Sequence, residues 1–308
     1  MIVSAAGIGA QWFLNGVSNL QNQILKTTNA LSSGYQVNSA ADAPEQATAL
    51  VDLGSHLNTL QTYKGNLTAV QGYAQTSDQT LGSAISLMQN AQSIAAQAQG
   101  MTVTPEQMQI MAAQVQGIQQ QMVSLANTQV AGQYIFGGDQ GTSAPYQYDP
   151  SSTTNGVDQL TTQTATYAFT NPNNQTVYQP LTATQIFDNQ DSSGTPTANN
   201  VFVALQSLNT ALQNNDATGV ANALDALNTA SDWLTQQQSH YGTQEQRITS
   251  EQNTVANQVT SVQTSISGIR DTDEVKAATD LTQEIAAQSA AYEAQAAIPQ
   301  KSLFDYLG

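Results

Sequence analysis

The sequence predicts a mainly α-helical protein, in which long antiparallel helices from the two halves form coiled-coil or bundle layers and a small β-rich insert separates them. Two observations carry this prediction. Apolar residues recur at three- and four-residue spacing over long stretches of both halves, which is the period of a helix face packed on another helix. Between Tyr134 and Phe202 this spacing gives way to turn-forming and aromatic residues, which is typical of short strands and turns.

The first half contains start and stop signals for three helices. Gly34 ends the first helix, as a glycine in the C′ position does. Asp42 and Glu45 have the spacing of a reciprocal capping pair before the second helix, and Thr104 and Gln107 have the same spacing before the third. The predicted helices cover approximately residues 10–33, 44–99 and 105–129.

The second half repeats this organisation in reverse. Helical spacing resumes at Val201, pauses near Asn215 and continues to Ile269. Acidic residues from Asp271 to Glu274 then mark the start of a last helix, where the helix dipole favours negative charge. The mirrored order predicts that the two halves run antiparallel, with both termini at one end and the insert at the other.

This organisation predicts three parts, each with its own role. The apolar stripes of the helices are narrow and rich in alanine, so one chain covers them poorly. We therefore expect other chains to complete the core. The predicted parts are residues 1–40 with 272–308, an inner terminal-helix domain; residues 41–133 with 201–271, a long-helix bundle; and residues 134–200, a β-rich solvent-facing insert.

Composition and charge exclude several classes of protein. The chain has 308 residues, a formal net charge of −16 and no cysteine. No Lys or Arg lies between Lys64 and Arg247, so that interval offers no cationic surface for a nucleic acid. The sequence predicts neither a membrane span nor a cleaved signal peptide, because no stretch has the required apolar length.

No motif in the sequence predicts catalysis or metal binding. The two histidines, His56 and His240, lie in separate helical stretches and lack partners at the spacing of a catalytic or metal site. The segment from Asp188 to Gly194 departs from the calcium-loop pattern, and turn acids are the favoured interpretation. The aromatic residues of the insert are interpreted as its own core, with a carbohydrate or protein surface as the alternative. We therefore expect no enzyme activity, cofactor or metal.

Four segments, in the right order, resemble those of the bacterial flagellin superfamily. Residues 31–44 (LSSGYQVNSAADAP) resemble its N-terminal signature LSSGxxINxxxDDP, with Ala43 in place of the second aspartate. The run from Gly242 to Arg247 is similar to its GxxxxR helix start. The last helix start and the closing residues 302–307 (SLFDYL) resemble its C-terminal region.

Two kinds of superfamily member fit these residues. Residues 126–138 (ANTQVAGQYIFGG) are similar to a stretch of the junction subunits that link the flagellar hook to the filament, which favours that function. A filament-forming flagellin is the alternative, because the terminal motifs are shared. A secreted adhesin or enzyme that acts through the insert is a more remote alternative.

The resemblance implies assembly outside the cell after export through the flagellar type III channel, without a cleaved signal peptide. Its expected partners are further copies of the chain, neighbouring flagellar axial proteins and an export chaperone, but not a nucleic acid or a membrane. Paired terminal helices would form an inner tube. The residues predicted for this pairing are Leu14, Val17, Ile24, Leu31, Leu281, Ile285, Tyr292, Leu303, Phe304 and Leu307.

Overall fold

The structure is a computed structural model, which describes residues 5–100, 103–164 and 168–297, with side chains from residue 10 onward. Within these residues the chain forms seven α-helices, five of which have more than twenty residues. The helices are α1 (Ala5–Ser33), α2 (Pro44–Ala98), α3 (Pro105–Ala126), α4 (Ala183–Ile186), α5 (Val201–Gln213), α6 (Ala217–Arg270) and α7 (Glu274–Ala297).

Six short strands lie in the segment between α3 and α5. They form three separate antiparallel pairs rather than one sheet. Because each pair has only two or three residues per strand, the pairs depend on side-chain packing for stability. The pairs are β1 (Gln129–Val130) with β2 (Gln133–Tyr134), β3 (Tyr146–Tyr148) with β4 (Val157–Gln159), and β5 (Phe169–Thr170) with β6 (Thr176–Tyr178).

The predicted fold class is confirmed: long helices pack on each other, and small strand pairs occupy a central insert. The helix limits differ little from the prediction. The third helix ends at Ala126 rather than near Gln129, because Gln129 and Val130 form a strand instead. The strand predicted for residues 164–170 is observed only at Phe169–Thr170, and residues 165–167 lie outside the described part of the chain.

The structure confirms two of the predicted helix start and stop signals and contradicts a third. Gly34 has a φ of 75°, as a C′ glycine requires, and its N donates to the Ala30 carbonyl at 2.9 Å. The Thr104 and Gln107 capping box is present in both directions. The pairing predicted for Asp42 is wrong, because its Oδ2 accepts hydrogen bonds from the backbone N of Asn38 and Ser39, at 3.0 and 2.7 Å. Asp42 therefore orders the preceding turn.

The chain divides into two compact units. The first contains the residues up to Thr62 and those from Ala256 onward, and the second contains Tyr63–Val255. The first unit includes α1 packed against α7, and the second includes α3 packed against α5 together with the strand pairs.

In the second unit, α2 and α6 run antiparallel and contact through buried side chains at every seventh position. This spacing is that of a coiled coil. Hydrogen bonds between the two helices fix their direction, because residue 71 meets residue 252 whereas residue 92 meets residue 227. The buried heptad positions are Leu67, Ala74, Leu81, Met88 and Ala95 on α2, and Leu227, Leu234, Tyr241, Ile248 and Val255 on α6.

The insert has its own aromatic core, which confirms the favoured interpretation of its aromatic residues. Phe187 lies at its centre, with ring centroids 5.7 Å from Phe136 and 6.1 Å from Phe202. Tyr146 packs on Phe202 at 5.2 Å. All four rings are buried. Two helices that follow the insert contribute to this core, since α5 supplies Phe202 and Trp233 on α6 donates from Nε1 to the Ile186 carbonyl at 3.1 Å.

Candidate assembly surface

The two terminal helices of the first unit pair in antiparallel orientation. Thr27 of α1 donates from Oγ1 to Glu284 Oε1 of α7 at 3.3 Å. Further along, the rings of Phe13 and Tyr292 meet edge to face, with centroids 6.4 Å apart. Low residue numbers on α1 thus meet high numbers on α7, as the mirrored sequence predicts.

The least exposed residues of each helix define the seam between them. On both helices these residues recur at three- and four-residue intervals, as expected for one helix lying along another. Only Val17, Ala30 and Ala277 of the seam are buried, and even these stay 8–9% exposed, so much of the seam is accessible to water. The seam residues are Phe13, Val17, Leu20, Ile24, Thr27, Ala30 and Leu31 on α1, and Ala277, Asp280, Leu281, Glu284, Gln288, Ala291 and Gln295 on α7.

The structure brings together some of the ten residues predicted to pair and separates others. Val17, Ile24, Leu31 and Leu281 lie in the seam. Leu14 and Ile285 point away from it and are 59% and 48% exposed. Tyr292 contacts Phe13 yet is 51% exposed. The remaining three predicted residues, Leu303, Phe304 and Leu307, lie outside the described residues.

In the single chain, part of the α1 seam follows a heptad register that differs from the predicted one. The predicted register begins at Leu14, whereas the seam begins one residue earlier, at Phe13, and includes Leu20. The register observed in the seam contains fewer polar residues than the predicted register, because it includes Leu20 in place of Gln21. On α7 the most apolar stripe, which contains Ile285 and Tyr292, flanks the seam instead of filling it.

The seam is partly polar. Glu284 places both carboxylate oxygens at the interface, and Oε2 is buried there without a hydrogen-bond partner among the described residues. Gln288 and Gln295 continue the same stripe. Buried polar groups that lack partners cost free energy. The pairing of α1 and α7 within one chain is therefore weaker than an apolar coiled coil of the same length.

A group of contacts joins the residues that follow α1 to the residues that precede α7, and we call this group the clasp. Tyr35 and Asp271 face each other in an isolated antiparallel bridge. Gln36 donates from its backbone N to the Arg270 carbonyl at 2.8 Å, and from Nε2 to the Ile269 carbonyl at 2.8 Å. The Arg270 guanidinium lies 4.2 Å above the Tyr35 ring, a cation–π contact.

Two acids stabilise this end of the unit in their charged form. The Ser267 hydroxyl, followed by the Arg270 guanidinium at 2.9 Å, lowers the pKa of Asp271. Hydrogen bonds from the backbone and the hydroxyl of Ser39 lower the pKa of Asp42. Both loops that join the terminal helices to the long helices are therefore ordered by a carboxylate.

Outside the terminal helices, the acids of the segment first compared with a calcium loop have structural roles. Asp188 is buried, and its carboxylate accepts hydrogen bonds from Tyr146, Gln190 and Asn200, at 3.1, 2.8 and 2.7 Å. The neighbouring Asp191 accepts bonds from its own turn. Within the described residues, no three His, Cys, Asp or Glu side chains form a group that could hold a metal ion. In the same residues, every helix is too short or too polar to cross a membrane.

Both ends of the chain match family models. Residues 8–141 match the bacterial flagellin N-terminal helical region, and residues 224–307 match the bacterial flagellin C-terminal helical region. Flagellar hook-associated protein 3 of Escherichia coli (strain K12) is 25% identical over 151 residues. That alignment covers 49% of this chain and 48% of the relative, so it spans about half the length of the curated protein.

Solved structures have a similar fold. A protein assigned as a flagellar hook-associated protein from Vibrio parahaemolyticus has a TM-score of 0.64 and 15% identity, covering 75% of this chain and 100% of that one. Hook-associated protein 3 of Legionella pneumophila has a TM-score of 0.59 and 12% identity, covering 70% and 98%. FlgL of Bacillus cereus has a TM-score of 0.55 and 16% identity, covering 71% and 100%.

Proposed function

The chain belongs to the bacterial flagellin family, and we propose that it is a structural subunit of the flagellum that joins the hook to the filament. In this role it assembles with further copies of itself and with neighbouring axial proteins. Its work is mechanical, and we propose no catalytic step. The names of the relatives and of the structures with a similar fold support the junction in particular.

The observation that carries this proposal is the distribution of exposed apolar side chains. Of the ten large hydrophobic residues that are most exposed in the described part of the chain, eight belong to the first unit. Soluble monomers seldom concentrate such residues unless a partner covers them. The eight are Trp12, Leu14, Leu25, Tyr35, Val51, Val275, Ile285 and Tyr292.

Burial of these side chains by neighbouring copies would stabilise the assembly. Each one contributes about 1.5–3 kcal/mol when it is fully buried. The seam between α1 and α7 is partly polar, so the single chain gains little from its own pairing. We therefore infer that the terminal helices reach their stable state only in the assembly, where all ten predicted pairing residues, including Leu303 and Phe304, contribute.

We propose that each of the three predicted parts has its own place in the assembly. Residues 1–40 with 272–308 would form the inner tube, residues 41–133 with 201–271 the surrounding layer, and residues 134–200 the face toward solvent. The assembled subunit would lie outside the cell, after export through the flagellar type III channel with the help of a chaperone.

A filament-forming flagellin is the alternative function, since the matched family models describe flagellins in general. Copy number distinguishes the two. A fluorescently tagged chain should give one spot of a few subunits between hook and filament if it is the junction protein. Labelling along a shaft would show a filament subunit instead.

Truncation tests the assembly role. We expect deletion of Phe304–Gly308 to prevent incorporation at the hook end while the chain is still produced and exported. The control is a chain with a substitution in the exposed turn of the insert, Asn174→Ser, which should incorporate normally. Normal incorporation of the truncated chain would contradict the proposed assembly through the terminal helices.

A further inference from the structure

Arg247 on α6 is a cation that no described side chain of the same chain neutralises. Among the described residues it has no hydrogen bond and no ion pair. Glu251, one turn further along the helix, would be its natural partner, but Glu251 accepts a hydrogen bond from the Tyr63 hydroxyl at 3.2 Å. The guanidinium therefore keeps its donors available for a ligand.

The arginine lines an open cavity of about 450 Å³ between α6 and the hairpin of β5 and β6. The cavity wall is polar near the arginine, with Ser250 on the same helix and Gln175 and Thr176 on the hairpin. Such side chains suit a ligand that accepts hydrogen bonds. A guanidinium in this setting binds a carboxylate best, because it can donate two parallel hydrogen bonds to the two oxygens.

The opposite flank of α6 carries the complementary charge. Glu245 lies two residues before Arg247, which places the two about 200° apart around the helix. Burial, and then the nearby Asp78 carboxylate on α2, raise the pKa of Glu245 above its ordinary value. Neither Glu245 nor Asp78 has a side-chain hydrogen bond or an ion pair among the described residues.

The large negative net charge of the chain makes an isolated cation important for contacts between copies. The chain carries a formal net charge of −16, and Arg247 is the sole Lys or Arg between Lys64 and Arg270 in the sequence. Copies of such a chain repel each other when they are brought together. A contact between copies is favourable where this isolated cation meets an acidic surface.

We propose that neighbouring copies of this chain associate side by side through their second units, with Arg247 of one copy bound to the acidic pair of Glu245 and Asp78 on the next. The inference rests on the proposed function, because it specifies one lateral contact of that assembly. Each copy uses two different surfaces, so the contact repeats from copy to copy and can close into a ring or continue as a helix.

Charge reversal tests this contact. Arg247→Glu places two acids opposite each other and should raise the concentration needed for half-maximal assembly by about tenfold at low salt. The double variant Arg247→Glu with Glu245→Lys restores opposite charges and keeps the net charge of the wild type. We expect it to assemble within about twofold of the wild type. Sedimentation velocity of the purified full chain, at low and high salt, measures these effects.

The matched control is Lys64→Glu, an exposed cation of the same unit whose reversal changes the net charge by the same amount, from −16 to −18. We expect a change of less than about twofold for this variant. Equal effects of Arg247→Glu and Lys64→Glu would overturn the inference, and so would a double variant that assembles no better than Arg247→Glu. Circular dichroism confirms that each variant folds.

The variant Ile285→Asp separates this inference from the proposed function. If Ile285→Asp fails to incorporate at the hook while Arg247→Glu assembles like the Lys64 control, only the lateral contact is wrong. If Ile285→Asp incorporates normally, the proposed terminal-helix assembly is wrong. A purified wild-type chain that stays monomeric up to its solubility limit would also overturn the lateral contact, because that contact joins copies of this chain alone.

Discussion

Gln252 of α6 donates a hydrogen bond from Nε2 to Oε1 of Gln71 on α2, at a distance of 2.9 Å. Both residues interrupt otherwise apolar heptad patterns in their helices. The two polar interruptions therefore meet each other, and each satisfies the other in a partly buried position. A paired polar group in a coiled coil can fix the axial register of the two helices.

This pairing predicts a non-additive response to substitution. Gln71→Leu leaves the Gln252 amide without its partner and should lower the free energy of unfolding by about 1 kcal/mol. The double variant with Gln252→Leu removes both polar groups, so we expect it to recover most of that loss. Urea unfolding followed by circular dichroism measures each value. A double variant whose loss equals the sum of the single losses would show that the hydrogen bond contributes nothing.

Substitutions in α1 should separate the pairing of α1 with α7 from the assembly of several copies. Val17 is 9% exposed in the seam, whereas Leu14 is 59% exposed beside it. Val17→Asp buries a carboxylate and should remove the hydrogen-exchange protection of α1 and α7 in the monomer. Leu14→Asp should leave that protection unchanged and yet prevent assembly, because its site is filled only by another copy. Normal assembly of Leu14→Asp would refute this role for the exposed stripe.

The clasp predicts that the thermal stability of the chain depends on pH through Asp271. The pKa of Asp271 is lowered in the folded chain, chiefly by the Ser267 hydroxyl and then by Arg270. Its carboxylate therefore stabilises the fold above the ordinary pKa of an unfolded aspartate, and this contribution disappears as the pH falls through the lowered value. Asp271→Asn should reduce the thermal midpoint at pH 7, and the difference from wild type should disappear at a pH below the lowered pKa of Asp271.

Asp52→Asn is the control for this measurement. Asp52 is an exposed acid of the same unit, and its side chain has no hydrogen bond or ion pair among the described residues. We expect its thermal midpoint to follow that of the wild type at both pH values. A difference for Asp271→Asn that stays constant down to the lowest pH would mean that the carboxylate charge is not the stabilising feature.

The insert predicts a test of the adhesin or enzyme alternative. Its segment before α5 depends on α6, because Tyr241 Oη accepts from the Leu181 N at 3.2 Å and Gln244 exchanges hydrogen bonds with Gln179, at 2.6 and 3.1 Å. A fragment of residues 134–202 lacks these partners and should not fold. The fragment 63–255 retains them and serves as the positive control. A dispersed amide NMR spectrum for the short fragment would support an independent binding domain.

The local pattern of residues determined where the helices of this protein begin and end. Heptad spacing, Gly34 and the Thr104 capping box act over a few residues, so their effect on the backbone can be recognised without knowledge of the partner helix. The same is true of the change from helix to strand near Tyr134. Hydrophobic periodicity and turn residues are properties of the chain alone.

The tertiary structure decided which face of each helix is buried. The helices are rich in alanine and glutamine, so registers one residue apart differ little in apolar content, and only the partner helix selects between them. For this reason Phe13 replaced Leu14 in the seam, and Ile285 was left exposed. The unpaired state of Arg247 has the same origin, because the Tyr63 hydroxyl holds Glu251 across a distance of 188 residues in sequence.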